Sequence, residues 1–304
     1  VKPRGRRPFA LKDADPTGTL RLRASFVSEA GRRLTLLKRW IRESVVDRDC
    51  FGLVGPPGLT GLSATQPREF AFRNSEGKVD AFMAWLRQQE ASGLLEVTPG
   101  TVQSGGRPQP WSNLYVRSAY QRGLAEGRRL VRAAGVDVPS FEEVPGGIAG
   151  TMNQPFHSDR LGLLFTRTFS DLKGVTDAMD AALSRELVQG MGEGIGPYEL
   201  ARRLTVRVDS IGLVRARTVA RTEVVRAHGQ AALNEFEATA QLLGEEVKSQ
   251  WWTALDERVC PVCGPRHGKV YEIKEARGIH PAHPNCRCTL LPVVAEEPLM
   301  RKAS

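Results

Sequence analysis

The amino-acid sequence predicts an α+β protein, a mainly α-helical body followed by a small C-terminal β-rich module, and three observations predict it. Apolar residues recur at helical spacing in segments from Phe26 to Ala231. After Glu246 the pattern changes to short runs of β-type residues at near-alternating positions. Four of the five cysteines and three of the five histidines lie between Cys260 and Cys288. An odd cysteine count with four thiols clustered beside imidazoles fits a metal-stapled module better than a disulfide framework. Zinc is the metal that thiolate and imidazole together favour.

The chain of 304 residues, 41% hydrophobic and 25% charged, has the composition of a soluble globular protein rather than a disordered or fibrous one. Its length suits about two domains of ordinary size. The breaker pattern predicts three consecutive parts: helical segments with Pro/Gly-rich linkers over 1–156, a long-helix core over 157–246, and a zinc-knuckle-like β module with a tail over 247–304. No apolar run approaches the ~20 residues needed to span a bilayer. The opening Val1-Lys2-Pro3-Arg4-Gly5-Arg6-Arg7 is basic with no apolar segment behind it. The expectation is a protein made in a reducing cytoplasm, with no membrane partner.

In chain order, Phe26, Ala30, Leu34, Leu37, Ile41 and Val45 form the stripe of a first helix that ends before Cys50. Cys50 itself reads as a small buried hydrophobe. A helix is expected around Val79–Leu86, between the Pro/Gly stretches Gly52–Pro67 and Pro99–Pro110. Val116, Tyr120, Gly123, Gly127, Leu130 and Ala134 form a further stripe whose small residues permit close helix contact. A third Pro/Gly stretch, Gly135–Pro155, reads as a loop. Leu161, Phe165, Thr168, Leu172, Val175, Met179 and Ala182 then alternate spacings of three and four, predicting a long helix against another helix or a neighbouring subunit. Gly190–Gly196 breaks it, Pro197 opens the next helix, and Ser210 is expected to cap the one after. There the stripe is Leu213, Ala216, Ala220, Val224, Ala227 and Ala231. His157 and His228 read as surface or capping residues. Short strands are expected over Val247–Leu255, Gly268–Ile273 and Thr289–Val294.

The net charge of +9 suggests a polyanionic neighbour. The excess is patchy: residues 1–23 carry seven basic against two acidic side chains, and residues 202–226 again seven against two. Arg4, Arg6, Arg7, Arg217 and Arg221 are the candidate nucleic-acid contacts, since guanidinium forks suit phosphate. A solvated helix face and a basic tail explain the same charges without any ligand.

Cys260-Pro261-Val262-Cys263 places two thiolates two residues apart, as a tight turn presents them to one ion, and a second pair must come from elsewhere. His283-Pro284-Asn285-Cys286 repeats the gap, and Cys286-Arg287-Cys288 puts two sulfurs on one side of an extended segment. Five candidates, Cys260, Cys263, His283, Cys286 and Cys288, thus compete for four places. The preferred set is both cysteines of the first pair with two of the other three. His267 and His280 lie outside a paired spacing. A catalytic alternative, with His280, His283 and Asn285 beside the knuckle as a metal-dependent nuclease, lacks an accompanying carboxylate apart from Glu272 and Glu275.

Four blocks carry a family resemblance: Ala220-Arg221-Thr222-Glu223; Trp252 through Cys263; Gly268-Lys269-Val270-Tyr271; and His283-Pro284-Asn285-Cys286-Arg287-Cys288-Thr289-Leu290. In order and spacing they resemble the phage Mu F-like head morphogenesis family, also called minor head or minor capsid proteins, over roughly residues 200–294. Arg266-His267 departs from the Leu-Asp common there. The resemblance implies a virion structural protein without enzymatic activity. It would act in head morphogenesis at the portal vertex, inside the head, in several copies per virion. Its implied partners are the phage portal protein, the major capsid protein and packaged DNA. It also implies that Cys260, Cys263, His283, Cys286 and Cys288 form the structural motif, with Arg221, Thr222, Glu223, Trp252 and Asp256 as signature positions. The competing readings are the nuclease and a zinc-containing DNA-binding regulator.

Overall fold

The computed structural model of the protein describes residues 15–54, 75–95, 97–98, 109–244, 246–254 and 256–294. Arg4, Arg6 and Arg7, most of the first two Pro/Gly stretches, and the tail from residue 295 lie outside the described residues. The architecture is mainly helical with one small three-stranded C-terminal sheet. The chain divides into two compact units, each gathered from separated stretches. One comprises Val1–Ala24, Asn113–Thr166 and Ala220–Ser304, and the other Ser25–Ser112 and Arg167–Val219.

The second of these is a helical unit. Helix α1 (Leu20–Arg42) closes in a π-helical turn, Glu43–Asp47. Its stripe Phe26, Ala30, Leu34, Leu37, Ile41 and Val45 is no more than 1% exposed. From Leu34 onward the stripe shares a core with Val79, Phe82 and Leu86 of α2 (Ser75–Gly93). Met179, Leu183 and Leu187 of the 38-residue α5 (Pro155–Gly192) join the same core, as do Leu200 and Leu204 of α6 (Pro197–Arg207). This part of the heptad stripe is therefore satisfied within the chain. Cys50 is buried in that core. Two short strands, β1 (Val97–Thr98) and β2 (Gln109–Pro110), pair antiparallel.

Helix α6 opens on Pro197 behind Gly196, but Ser210 does not cap a new helix. A π-helical turn, Val208–Leu213, carries α6 straight into α7 (Val214–Leu243), and Ser210 Oγ donates to the Arg207 carbonyl at 3.2 Å. Packing holds the widened turn: a Cβ on Gly212 would lie 2.5 Å from Met179 Sδ and 2.9 Å from Leu34 Cδ2.

The other unit is built around α7. From Thr222 to Phe236 all residues but Arg226 and Gln230 are buried. This stretch is therefore covered on every side rather than along one stripe. Helix α3 (Asn113–Ala133) lies against it through the small residues of its stripe. A Cβ on Gly123 would sit 2.2 Å from the His228 carbonyl oxygen and one on Gly127 3.0 Å from Ala232 Cα. Ala134 falls just past the helix and is exposed. The stretch Gly135–Pro155 is not all loop: it contains α4 (Gly147–Met152) behind the left-handed Gly146.

The C-terminal strands fall within the predicted segments: β3 (Val247–Trp252), β4 (Val270–Tyr271) and β5 (Thr289–Val294), in the order β4-β3-β5, both pairs antiparallel. Val247, Ser249 and Trp251 face inward, as the alternation requires. Pro292 is tolerated because, among the described residues, β5 pairs with β3 alone and forms a sheet edge. Ile273 leaves the second predicted strand to open a helix, α8 (Ile273–Ile279). Leu130, Leu233, Phe236, Trp251, Ala276, Leu290 and the cysteines 263, 286 and 288 form one core.

A buried polar network ties α8 to the helices. Arg277 donates to Gln230 Oε1 at 3.0 Å, to Asn234 Oδ1 at 2.8 Å and to Glu237 at 2.8 Å. Asn234 Nδ2 donates to Tyr120 Oη at 2.6 Å, and Tyr120 Oη lies 2.8 Å from His157 Nδ1. The Tyr120 hydroxyl can accept from Asn234 and still bond His157 Nδ1, so one side chain links the two. Burial pushes the tyrosine up to about 12 and holds His157 below its ordinary value. His157 and His228 are 7% and 2% exposed, so neither is the surface or capping residue expected from the sequence. Both sit where helices cross, which local spacing does not reveal.

Candidate metal centre

Pairing of β3 with β5 sets the site. Trp252 lies opposite Thr289, so the chain leaving β3 runs beside the chain entering β5. The first arm turns at Cys260–Cys263, where the Cys263 and Gly264 N–H groups both donate to the Cys260 carbonyl, at 3.1 and 2.9 Å. The second arm turns at His283–Cys286, where the Cys286 N–H donates to the His283 carbonyl at 3.2 Å. Asn285 occupies the left-handed region at φ 63°, which asparagine tolerates better than most residues.

These turns bring the five candidate side chains together around Cys263. Its Sγ is 3.1 Å from His283 Nε2 and 3.9 Å from Cys286 Sγ, and Cys260 Sγ is also 3.1 Å from His283 Nε2. Cys260, Cys263 and His283 form one group with ligand atoms within 4.8 Å of one another, and Cys263, Cys286 and Cys288 form a second. Either group can hold a metal ion. A tetrahedral zinc with sulfur at about 2.3 Å sets its sulfurs roughly 3.8 Å apart, which the Cys263–Cys286 separation matches. A cavity of about 40 Å³ borders Cys260, Cys263, His283 and Cys288.

The proton affinities are those of thiols competing for one negative charge. The hydrogen bond from Cys288 lowers Cys286 to about 4, against the effect of burial. Burial, with the neighbouring Cys286, pushes Cys263 up to about 12, and the bond to Cys286 with burial raises Cys288. At Cys260 burial works upward, but the N–H groups of Cys263 and Val262 leave the thiol below its usual value. Burial works downward on His283, yet its bond to the Pro284 carbonyl and the nearby sulfurs raise it overall. A dication placed here would draw further protons from such a cluster, because a coordinating thiol is deprotonated.

The supports of the site come from residues outside the metal spacing. Arg287, between two of the cysteines, makes a two-point bond to Asp256 at 2.5 and 2.7 Å, which holds the aspartate well below the usual carboxylate range. Asn285 N–H donates to Thr222 Oγ1 on α7 at 3.1 Å. His280, 1% exposed, lies with Nε2 3.0 Å from the Cys288 carbonyl and packs edge-on against Trp251 at 5.2 Å. Its ring meets α7 at Gly229, where a Cβ would come 2.4 Å from Nδ1. His267 Nδ1 lies 2.9 Å from Thr253 Oγ1, and its ring stacks 4.6 Å from Trp252. Sequence spacing passes over Gly229 and the buttressing side of His280. The signal was a lone glycine inside an otherwise regular helix.

The description of the family model that matches residues 181–291 is Phage Mu protein F like protein. Residues 181–291 are similar to the phage Mu F-like family. The match takes in the α7 block, the Trp252–Cys263 block and the His283–Leu290 block, and so every candidate metal ligand of the phage Mu F-like region. No curated protein and no solved structure matches the chain.

The structure describes two of the five candidate DNA contacts. Arg217 and Arg221 lie one turn apart on α7 and both are exposed. No helix among the described residues is long and apolar enough to cross a membrane.

Proposed function

We propose that the protein is a phage head-morphogenesis component, a minor head or minor capsid protein. It works as a structural protein rather than an enzyme, inside the head near the portal vertex. It is made in the host cytoplasm and incorporated in several copies per virion. Its partners are the portal protein, the major capsid protein and the packaged DNA, the last through arginines such as Arg217 and Arg221. A structural Zn²⁺ held by Cys260, Cys263 and His283 with Cys286 or Cys288 staples the C-terminal module.

The observation that carries this reading is the phage Mu F-like match over residues 181–291. Its separate blocks meet physically through Thr222 with Asn285 and Asp256 with Arg287. A structural zinc is favoured over a nuclease site by the histidines themselves. His283 turns one nitrogen to two cysteines and the other to the Pro284 carbonyl, while His280 is buried against α7. Neither is presented to a substrate.

The test is localisation in purified particles by mass spectrometry and cryo-EM. Density for the chain at the portal vertex is the expected result, and particles that lack the chain or carry it only elsewhere in the shell overturn the assignment. Metal analysis of protein prepared without chelator should give about one zinc per chain, and less than about half an equivalent removes the staple.

A further inference from the structure

We propose that Arg23, Arg221 and Arg287, with the exposed amide of Asn285, form a site for a single phosphate group beside the cysteine knuckle. The phosphate is either one unit of a DNA backbone or free phosphate. The DNA form deepens, and rests on, the DNA contact proposed above, whereas the free-phosphate form does not.

Three guanidinium groups from three parts of one unit serve this site. Arg23 stands in the first turn of α1, is 5% exposed, and donates Nη2 to Asp15 at 2.7 Å. Its Nε is buried without a hydrogen-bond partner among the described residues. A buried donor left unmet is costly, and native structures leave few of them. Arg287 spends both terminal nitrogens on Asp256. Arg221 is exposed and has no hydrogen bond or ion pair among the described residues. Arg258 also reaches Asp256, at 3.2 Å, so four cations face two carboxylates and positive charge is in excess.

One hydrogen bond from the backbone ties two of the three segments together. Thr222, next to Arg221, accepts the N–H of Asn285, two residues before Arg287. Arg23 is close enough to both that, after burial, their charges add to the lowering of its proton affinity. A doubly charged tetrahedral anion would relieve that repulsion and accept from the free fork of Arg221 and the side-chain amide of Asn285, with the charges of Arg23 and Arg287 behind them.

The test uses the full chain, with Arg221→Ala as the probe of the site. Arg185→Ala, at an exposed arginine on α5, is the charge-matched control. Binding of a fluorescein-labelled 20-base-pair duplex is followed by anisotropy across a salt series. Thermal melts are recorded with inorganic phosphate against chloride at equal ionic strength. The expected result is a roughly five- to tenfold loss of duplex affinity for Arg221→Ala beyond that of the control, with the slope of log K against log salt reduced by about one. The rise in Tm with phosphate disappears in the same variant. Equal losses in the two variants overturn the site and leave a diffuse DNA contact standing. A wild type that ignores the duplex but gains Tm with phosphate, dependent on Arg221, overturns the DNA contact and keeps the site as one for free phosphate. If neither ligand acts, both proposals fall.

Discussion

Thr222 and Asn285 are 63 residues apart in sequence, yet the backbone N–H of Asn285 donates to Thr222 Oγ1 at 3.1 Å. The bond fastens the turn that presents His283 and Cys286 to the central helix of its unit. It also explains why a threonine on a helix and an asparagine in a loop belong to one set of blocks. The hydroxyl supplies an acceptor to the N–H of the turn's left-handed residue.

Thr222→Val keeps the shape of the side chain and removes that acceptor. The Asn285 N–H, on an exposed residue, then turns to water, and the loss is that of an ordinary hydrogen bond, about 0.5–1.5 kcal/mol. The variant should melt a few degrees lower and, when both proteins are loaded with zinc, release the metal faster to a chromophoric chelator than wild type. Equal release rates and equal melting temperatures would show that the turn holds its shape unaided.

Two glycines give opposite expectations. At Gly123 an added methyl would lie 2.2 Å from the His228 carbonyl oxygen and 2.8 Å from Ala231 Cβ, backbone and helix that cannot step aside. Gly123→Ala should destabilise by roughly 2–4 kcal/mol through overpacking. At Gly174, exposed in the middle of α5, an added methyl meets nothing within 4 Å. Gly174→Ala should gain about 0.5–1 kcal/mol from helix propensity alone. Denaturant melts of the two variants measure both, and a Gly123→Ala protein as stable as wild type would disprove the close approach of α3 to α7.

These contrasts show what the sequence makes legible. The stripes from Phe26 to Val45 and from Val116 to Leu130 could be read because each helix packs along one face, and the period then appears in the residues themselves. The strands were legible through alternation and the metal candidates through two-residue gaps. The polar residues buried on α7, Thr222, Glu223, His228, Asn234 and Glu235, could not be read this way. Their burial comes from elements distant in sequence on several sides, and their hydrogen bonds run to Asn285, Tyr120 and Arg128. Ser210 misled for a related reason. A serine after a run of helix resembles a cap, but tertiary packing at Gly212 keeps the helix going. The short α8 was hidden because Ile273 and Ile279 fit a strand as well as a helix.

A second group of buried polar residues, far from the cysteines in sequence, makes stability depend on pH. Glu90 on α2 is 2% exposed and faces Asp180 on α5; among the described residues Glu90 Oε1 and Asp180 Oδ1 are both buried without a donor, while Asp180 Oδ2 accepts from Arg87 at 2.9 Å. Two carboxyl groups bond to each other only when one carries a proton. Burial first, and then the charge of Asp180, raise Glu90 to about 9. A carboxyl raised in the folded state binds more protons folded than unfolded. Its contribution is complete below the ordinary value near 4.5 and is lost progressively as pH rises toward 9. Glu90→Gln supplies a permanent donor to Asp180 with no proton to lose. At pH 8 the variant should melt roughly 3–6 °C above wild type, taking about 1–2 kcal/mol at about 2–4 °C per kcal/mol for a unit of this size. The advantage should shrink toward pH 5. Thermal melts across that range decide it: a constant offset between the two proteins at every pH would mean that Glu90 is ionised throughout and that no proton is shared with Asp180.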